Sequence, residues 1–284
     1  MKTVVVALLV AAVACASADP VDWDNVQFMD VYPPGFGKVL PGDFLDRIVG
    51  GKSAHEGQFP YQVGLLLDVS GGQSWCGGSL IAKRWVLTAA HCVDGVSAAT
   101  VYLGAVEIKK DEKSRQTIRV DKSHFRIHSG WNSRTLINDI ALIELTEDAR
   151  LGADIKLIKL PSDSEAKKTF VGDTAVASGW GRPSDASNSV SEILRYTDLK
   201  VISETECKKY FGSSARSSNI CTSGSDKKST CNGDSGGPLA IGEGDGRVII
   251  GLTSYGSASG CEKGYAAVFT RVGSYLDWIK ERIH

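Results

Sequence analysis

Gly233-Asp234-Ser235-Gly236-Gly237 is the stretch on which the fold turns. A serine set among glycines has little bulk around its backbone, so the main chain can come close to a reacting carbonyl and aim amide hydrogens at it. The hydroxyl is a poor nucleophile until an imidazole takes its proton, and the imidazole works better when a carboxylate fixes its tautomer. Of the five histidines, His91 in Thr88-Ala89-Ala90-His91-Cys92 ends an apolar run, beside a cysteine whose bridge would hold it rigidly. Asp139 opens the apolar run Ile140-Ala141-Leu142-Ile143, a costly place for a charge without buried partners. Ser235, His91 and Asp139 are therefore the candidate nucleophile, base and orienting carboxylate.

The same string also satisfies the G-x-S-x-G elbow of α/β-hydrolases, and chain order separates the two readings. An α/β-hydrolase places its histidine after the serine, whereas the only histidine after Ser235 is the terminal His284. The surrounding texture agrees. Short β-branched and apolar runs broken by glycine occur at 62–67, 86–88, 116–120, 139–145, 174–178, 199–202, 247–253 and 266–271, a pattern of an all-β sandwich or barrel. One helix is expected at the end, where Tyr275, Leu276, Trp278, Ile279 and Ile283 return to one face.

The chain has 284 residues, enough for one large domain or two modest ones. Its 42% hydrophobic and 23% charged residues are ordinary for a folded globular protein. A net charge of −1, with lysine and arginine scattered, offers no basic stripe for a nucleic acid backbone, so no such partner is expected. Residues 1–18 read as a secretory signal: Lys2, an apolar run over 4–14, then Ala16-Ser17-Ala18. That run is far short of the ~20 residues a bilayer demands, so the protein is expected to be secreted, with no membrane partner. Removing Cys15 with the signal leaves 7 − 1 = 6 cysteines, Cys76, Cys92, Cys207, Cys221, Cys231 and Cys261. An even number in a secreted chain points to disulfides, and no pair has the two-to-four-residue spacing of a zinc site. Residues 19–47 are acidic, broken by Pro33-Pro34-Gly35 and Pro41-Gly42, and free of cysteine, the texture of a removable segment.

Arg47-Ile48-Val49-Gly50-Gly51 and the stretches 87–92, 138–142 and 233–239 together carry a resemblance that no single motif does. From 48 to 284 the chain resembles the chymotrypsin family of serine proteases, most of all the arthropod chymotrypsin-like and collagenolytic members. The resemblance implies an all-β fold of two antiparallel six-stranded β-barrels with a C-terminal α-helix and the active site between the barrels. His91 would act as base and then acid, Asp139 would orient it, Ser235 would attack, and the N–H groups of Gly233 and Ser235 would form the oxyanion hole. It further implies the bridges Cys76–Cys92, Cys207–Cys221 and Cys231–Cys261. A precursor would be cut after Arg47 by a trypsin-like protease, freeing an Ile48 ammonium to pair with Asp234. Two departures concern that precursor. Ser74 stands where many relatives use a histidine to hold the aspartate, so silence must rest on other contacts. With no cysteine in 19–47, the cut segment is expected to leave or to stay only by weak contacts.

The same resemblance assigns the specificity pocket to Ser229, Gly256 and Ala267, and substrate-backbone contacts to Ser254 and Gly256. Ser229 at the floor, where trypsin-like members carry an aspartate, predicts rejection of basic side chains, which would be desolvated unpaired. Gly256 leaves the entrance open to aromatic groups, and the Ala267 methyl is expected to make the pocket shallower. No cofactor and no metal are expected, since Ala105 replaces the acidic residue that begins a calcium loop in some relatives. Polypeptide substrates, protein protease inhibitors and a monomer complete the expectation, with a digestive role. A protease of an immune or developmental cascade and a non-catalytic binding homologue are the alternatives.

Overall fold

The computed structural model describes residues 21–29, 31–33 and 51–283. The signal segment 1–18, Arg47 and Ile48 lie outside the described residues. The first half contributes β1 (Gln27–Phe28), β2 (Lys52–Ser53), β3 (Gln62–Val69), β4 (Gly72–Ala82), β5 (Trp85–Thr88), β6 (Ala98–Leu103), β7 (Gln116–Asp121), β8 (Phe125–Ile127) and β9 (Ala141–Glu144). The second contributes β10 (Thr174–Gly179), β11 (Arg195–Ile202), β12 (Asn219–Thr222), β13 (Pro238–Ile241), β14 (Val248–Tyr255) and β15 (Ala267–Arg271). Short helices α1 (Ala90–Val93), α2 (Asp163–Ala166), α3 (Glu204–Phe211) and α4 (Leu276–Lys280) punctuate them.

The fold is mostly β, with one closed six-stranded barrel, one half-barrel and a short C-terminal helix. In the second half, strands run β10-β13-β14-β15-β12-β11, and β11 pairs back onto β10 to close the ring. In the first half the order β7-β6-β3-β4-β5-β9-β8 ends without a β7–β8 ladder, so the expected first barrel is open along that seam. A 3₁₀ turn over Lys122–His124 joins these two strands directly, and Asp121 caps it with its side chain on the Ser123 N–H. The turn sends β8 away to pair with β9 instead.

Strand alternation explains how two cores and a junction arise from one set of strands. In β3, Val63, Leu65 and Leu67 fill the interior of the half-barrel, while Leu66 on the other face joins the junction cluster with Trp75, Tyr102 and Trp180. The closed barrel is filled by residues including Ala177, Leu199, Ile220, Leu239 and Phe269. At the C-terminus the helical pattern splits into a 3₁₀ turn over Val272–Tyr275 and the five-residue α4, shorter than the periodicity suggests. Ile279 is fully buried in the junction cluster, and the Tyr275 hydroxyl donates to Asn138 Oδ1 at 3.0 Å, so the chain end fastens the second half to the segment carrying Asp139.

Candidate active site

The acid–base side of the site is built by the half-barrel. Strand β5 ends at Thr88 and the chain turns almost at once into the single turn α1, which carries His91. A Cys76–Cys92 disulfide with an S–S length of 2.03 Å ties that turn to β4. The Nδ1 atom of His91 lies 2.8 Å from Asp139 Oδ2, and the His91 backbone N–H donates to Asp139 Oδ1 at 2.9 Å. Both residues are buried, at 3% and 1% exposure. The closed barrel also reaches Asp139: the Ser254 hydroxyl donates to Oδ2 at 2.6 Å, and the Thr270 hydroxyl donates to the Asp139 carbonyl at 2.7 Å. The Ser254 hydroxyl and the two His91 nitrogens offset the cost of burying the carboxylate. Because Asp139 Oδ2 accepts at Nδ1, that nitrogen carries the proton and Nε2 is left as the acceptor. The sequence assigned Ser254 only to substrate contact and did not mark Thr270. A hydroxyl in a buried strand two residues before Gly256 is the one signal that could have found Ser254.

Ser235 arrives from the turn between Cys231 and β13. Its carbonyl accepts from the Gly77 N–H at 2.7 Å, and the Gly236 N–H donates to the Thr253 carbonyl at 2.8 Å, so the nucleophile turn is clamped between β4 and β14. Gly236 has a φ of +75°, and a Cβ there would collide with the Thr88 hydroxyl, so glycine is required on both counts. Ser235 is thereby fixed one residue along β4 from the bridge that holds the His91 turn. Among the described residues no hydrogen bond joins the Ser235 hydroxyl to the imidazole. Such bonds commonly tighten only when substrate binds.

Asp234 is fully enclosed, at 1% exposure, and its carboxylate accepts from the Gly181 N–H and the Cys231 N–H, each at 2.9 Å. Burial outweighs these two amides and pushes its pKa up from 3.8 to about 6. Among the described residues no cation pairs with it.

A depression opens beside Ser235, lined by Ser229, Ser254, Gly256, Tyr265 and Ala266, with no carboxylate among the described lining residues. A Cβ at Gly256 would meet nothing within 4 Å, so the entrance is wide. Ala267, expected in this wall, packs instead in the barrel interior with Ala177, Leu199 and Phe269. Side chains alternate from the start of β15, so 267 and 269 turn inward together and Ala266 faces the pocket. Cys231–Cys261 and Cys207–Cys221 are bonded, and the first of them staples the pocket loop to the nucleophile turn. The two groupings of metal-ligating residue types, Cys76–His91–Cys92 and Asp185–Cys231–Cys261, each contain a disulfide, whose sulfurs are not free thiolates for a metal. Met29, Val31 and Tyr32 line the same depression, which nothing in the sequence announces.

Comparison with known proteins agrees with this geometry. The Trypsin family model matches residues 48–279. Brachyurin of Leptuca pugilator is 41% identical over 233 residues, 82% of this chain and 97% of that protein. Chymotrypsin of Phaedon cochleariae is 37% identical over 282 residues, 99% of this chain and 97% of that protein, a match that extends through the segment before residue 48. A solved structure described as HL collagenase superposes with a TM-score of 0.73 at 39% identity, covering 81% of this chain and 96% of that one.

Proposed function

Given that the chain belongs to the trypsin family of serine proteases, we propose that it is a secreted endopeptidase, made as a precursor cut after Arg47 by a trypsin-like protease. The mature enzyme hydrolyses peptide bonds after large apolar and aromatic residues. The observation that carries the reaction is the buried His91–Asp139 pair, held from the second barrel by Ser254, with Ser235 clamped onto the neighbouring strand. In this reading His91 Nε2 takes the Ser235 proton as the hydroxyl adds to the scissile carbonyl. Asp139 stabilises the imidazolium that forms, and the N–H groups of Gly233 and Ser235 receive the oxyanion. His91 then returns the proton to the leaving amine, and water repeats the sequence on the acyl-enzyme.

Specificity rests on Ser229. A buried serine at the pocket floor offers an arginine or lysine no counter-charge, and unpaired burial of such a charge is prohibitive. The Ala266 methyl, in place of the expected Ala267, limits depth, and a methyl-sized difference is worth about 1 to 3 kcal/mol, so preference among Phe, Tyr and Leu is graded. The freed Ile48 ammonium pairs with Asp234, whose raised pKa marks a carboxylate short of a cation. Three disulfides and a signal-like leader support an extracellular setting, and a digestive role accords with the chymotrypsin relative. Sequencing the fragments that the activated enzyme makes from a protein of known sequence tests the reading. Cuts should follow Phe, Tyr and Leu; cuts that mostly follow Arg or Lys would refute the pocket assignment.

A further inference from the structure

The segment ahead of Arg47 carries the molecule's least expected contacts. Strand β1 pairs in parallel with β4, Gln27 opposite Ser74 and Phe28 opposite Trp75. Val26 is 3% exposed in the junction cluster, and the Trp23 ring meets Trp75 edge-on at 5.5 Å between centroids. The Phe28 ring lies so close to Gly233 that a Cβ there would be 2.7 Å from it, and Arg182 stands 6.0 Å from the same ring. Met29 then packs on the cluster holding Cys76 and Cys92, and Val31 on the cluster holding Tyr255 and Ala266. Met29, Val31 and Tyr32 finish in the specificity pocket.

Chain direction gives these contacts their meaning. If the residue before the scissile bond enters the pocket of Ser229 and Gly256, a substrate runs N-to-C from the pocket, past Ser235, toward β4, where Gly77 holds the nucleophile. Residues 27–29 and 31–32 lie the other way, from β4 to the pocket. A backward chain fills the side-chain sites, but it exchanges the positions of carbonyl and amide nitrogen. No peptide bond then presents its carbonyl to Ser235 with the leaving nitrogen on the His91 side.

We propose that residues 21–29 and 31–33 form an inhibitor of the cleft bound in reverse, and that after cleavage at Arg47 the freed segment binds the mature enzyme in trans, blocking substrate without being cut. This answers the departure at Ser74: the strand that lacks the histidine is the strand β1 covers, and the Phe28 ring sits against the glycine of the oxyanion hole. The partner recognised by this surface is an aromatic-rich extended peptide anchored by Trp23, Val26 and Phe28.

The proposal rests on the proteolytic reading above, so its test uses only enzyme shown to be active by turnover of a Phe-containing peptide and by organophosphate labelling; a preparation that does neither refutes that reading and not this one. A synthetic peptide spanning residues 19–47 is titrated into the active enzyme. The expected result is competitive inhibition with the peptide intact between Gln27 and Pro33 after many turnover times, and a Ki at least tenfold weaker for the Phe28→Ala and Val31→Asp peptides. Active enzyme with no inhibition, inhibition that more substrate does not relieve, equal Ki values for all three peptides, or rapid cleavage between Gln27 and Pro33 would overturn the proposal.

Discussion

The two sides of the candidate site stand in different states of completion. Around Asp139 every carboxylate oxygen has a donor, supplied by His91 and Ser254, and the Cys76–Cys92 bridge locks the turn below. Around Asp234 an equally buried carboxylate has two backbone amides and, among the described residues, no positive charge, and its pKa rises to about 6. One side is complete as folded; the other, on the proposed reading, takes its charge from an Ile48 ammonium freed by cleavage. On that reading, activation leaves the His91–Asp139 pair as it stands and acts on the turn that carries Ser235.

The comparison sharpens with single substitutions. In the cut enzyme, Ser235→Ala should lower kcat on the order of 10⁶-fold. Asp139→Asn, which keeps the shape but permits the wrong tautomer, should cost roughly 10⁴-fold; steady-state kinetics on one Phe substrate ranks both. Equal, small losses would break the distinction between nucleophile and orienting group.

Asp234→Asn comes next, and its effect should differ between precursor and product. Breaking the proposed buried pair costs about 3 to 5 kcal/mol, a loss on the order of 10² to 10³ in kcat/KM of the cut enzyme. In the uncut chain the substitution removes a burden instead. The folded pKa lies above the unfolded 3.8, so the contribution of Asp234 to stability is full below pH 3.8 and is lost as pH rises through about 6. Over that window the uncut chain should lose about 3 kcal/mol from this group, a slope that Asp234→Asn abolishes in urea unfolding followed against pH. An unchanged slope would mean that the precursor's carboxylate already has its cation.

The smallest effect belongs to Ser254→Ala. Loss of one charge-assisted hydrogen bond to Asp139 should reduce kcat roughly tenfold with KM little changed. A large rise in KM with kcat intact would return Ser254 to substrate contact alone.

The pairing of His91 with Asp139 was legible because each sits in a short local motif whose chemistry constrains its neighbours. Features set by parity or by distant contacts were harder to read. Ala267 and Ala266 differ only in which way β15 starts its alternation, and the sequence Ala266-Ala267 carries no mark of it. Strand β4 is buried on both faces over residues 74–81, so it shows no period of two. Helix α3 hides behind low hydrophobicity, although Ser203 caps it on the Glu206 N–H and Cys207 and Phe211 return at i, i+4. Residues 21–29 and 31–33 read as part of a removable segment because the residues they pack on, Trp75 and Gly233, lie far along the chain.

The open seam between β7 and β8 also has a cost of its own. A closed ring has no edges, whereas β7 and β8 each have one side without a ladder partner among the described strands. Arg119 reaches across β6 to pair with Asp68 of β3, and Arg126 pairs with Glu144 of β9 at 2.8 Å, so each strand's charge is answered within its own sheet. Charged side chains on a strand next to an unpaired edge disfavour edge-to-edge pairing, so the seam ties solubility to residues far from the candidate site.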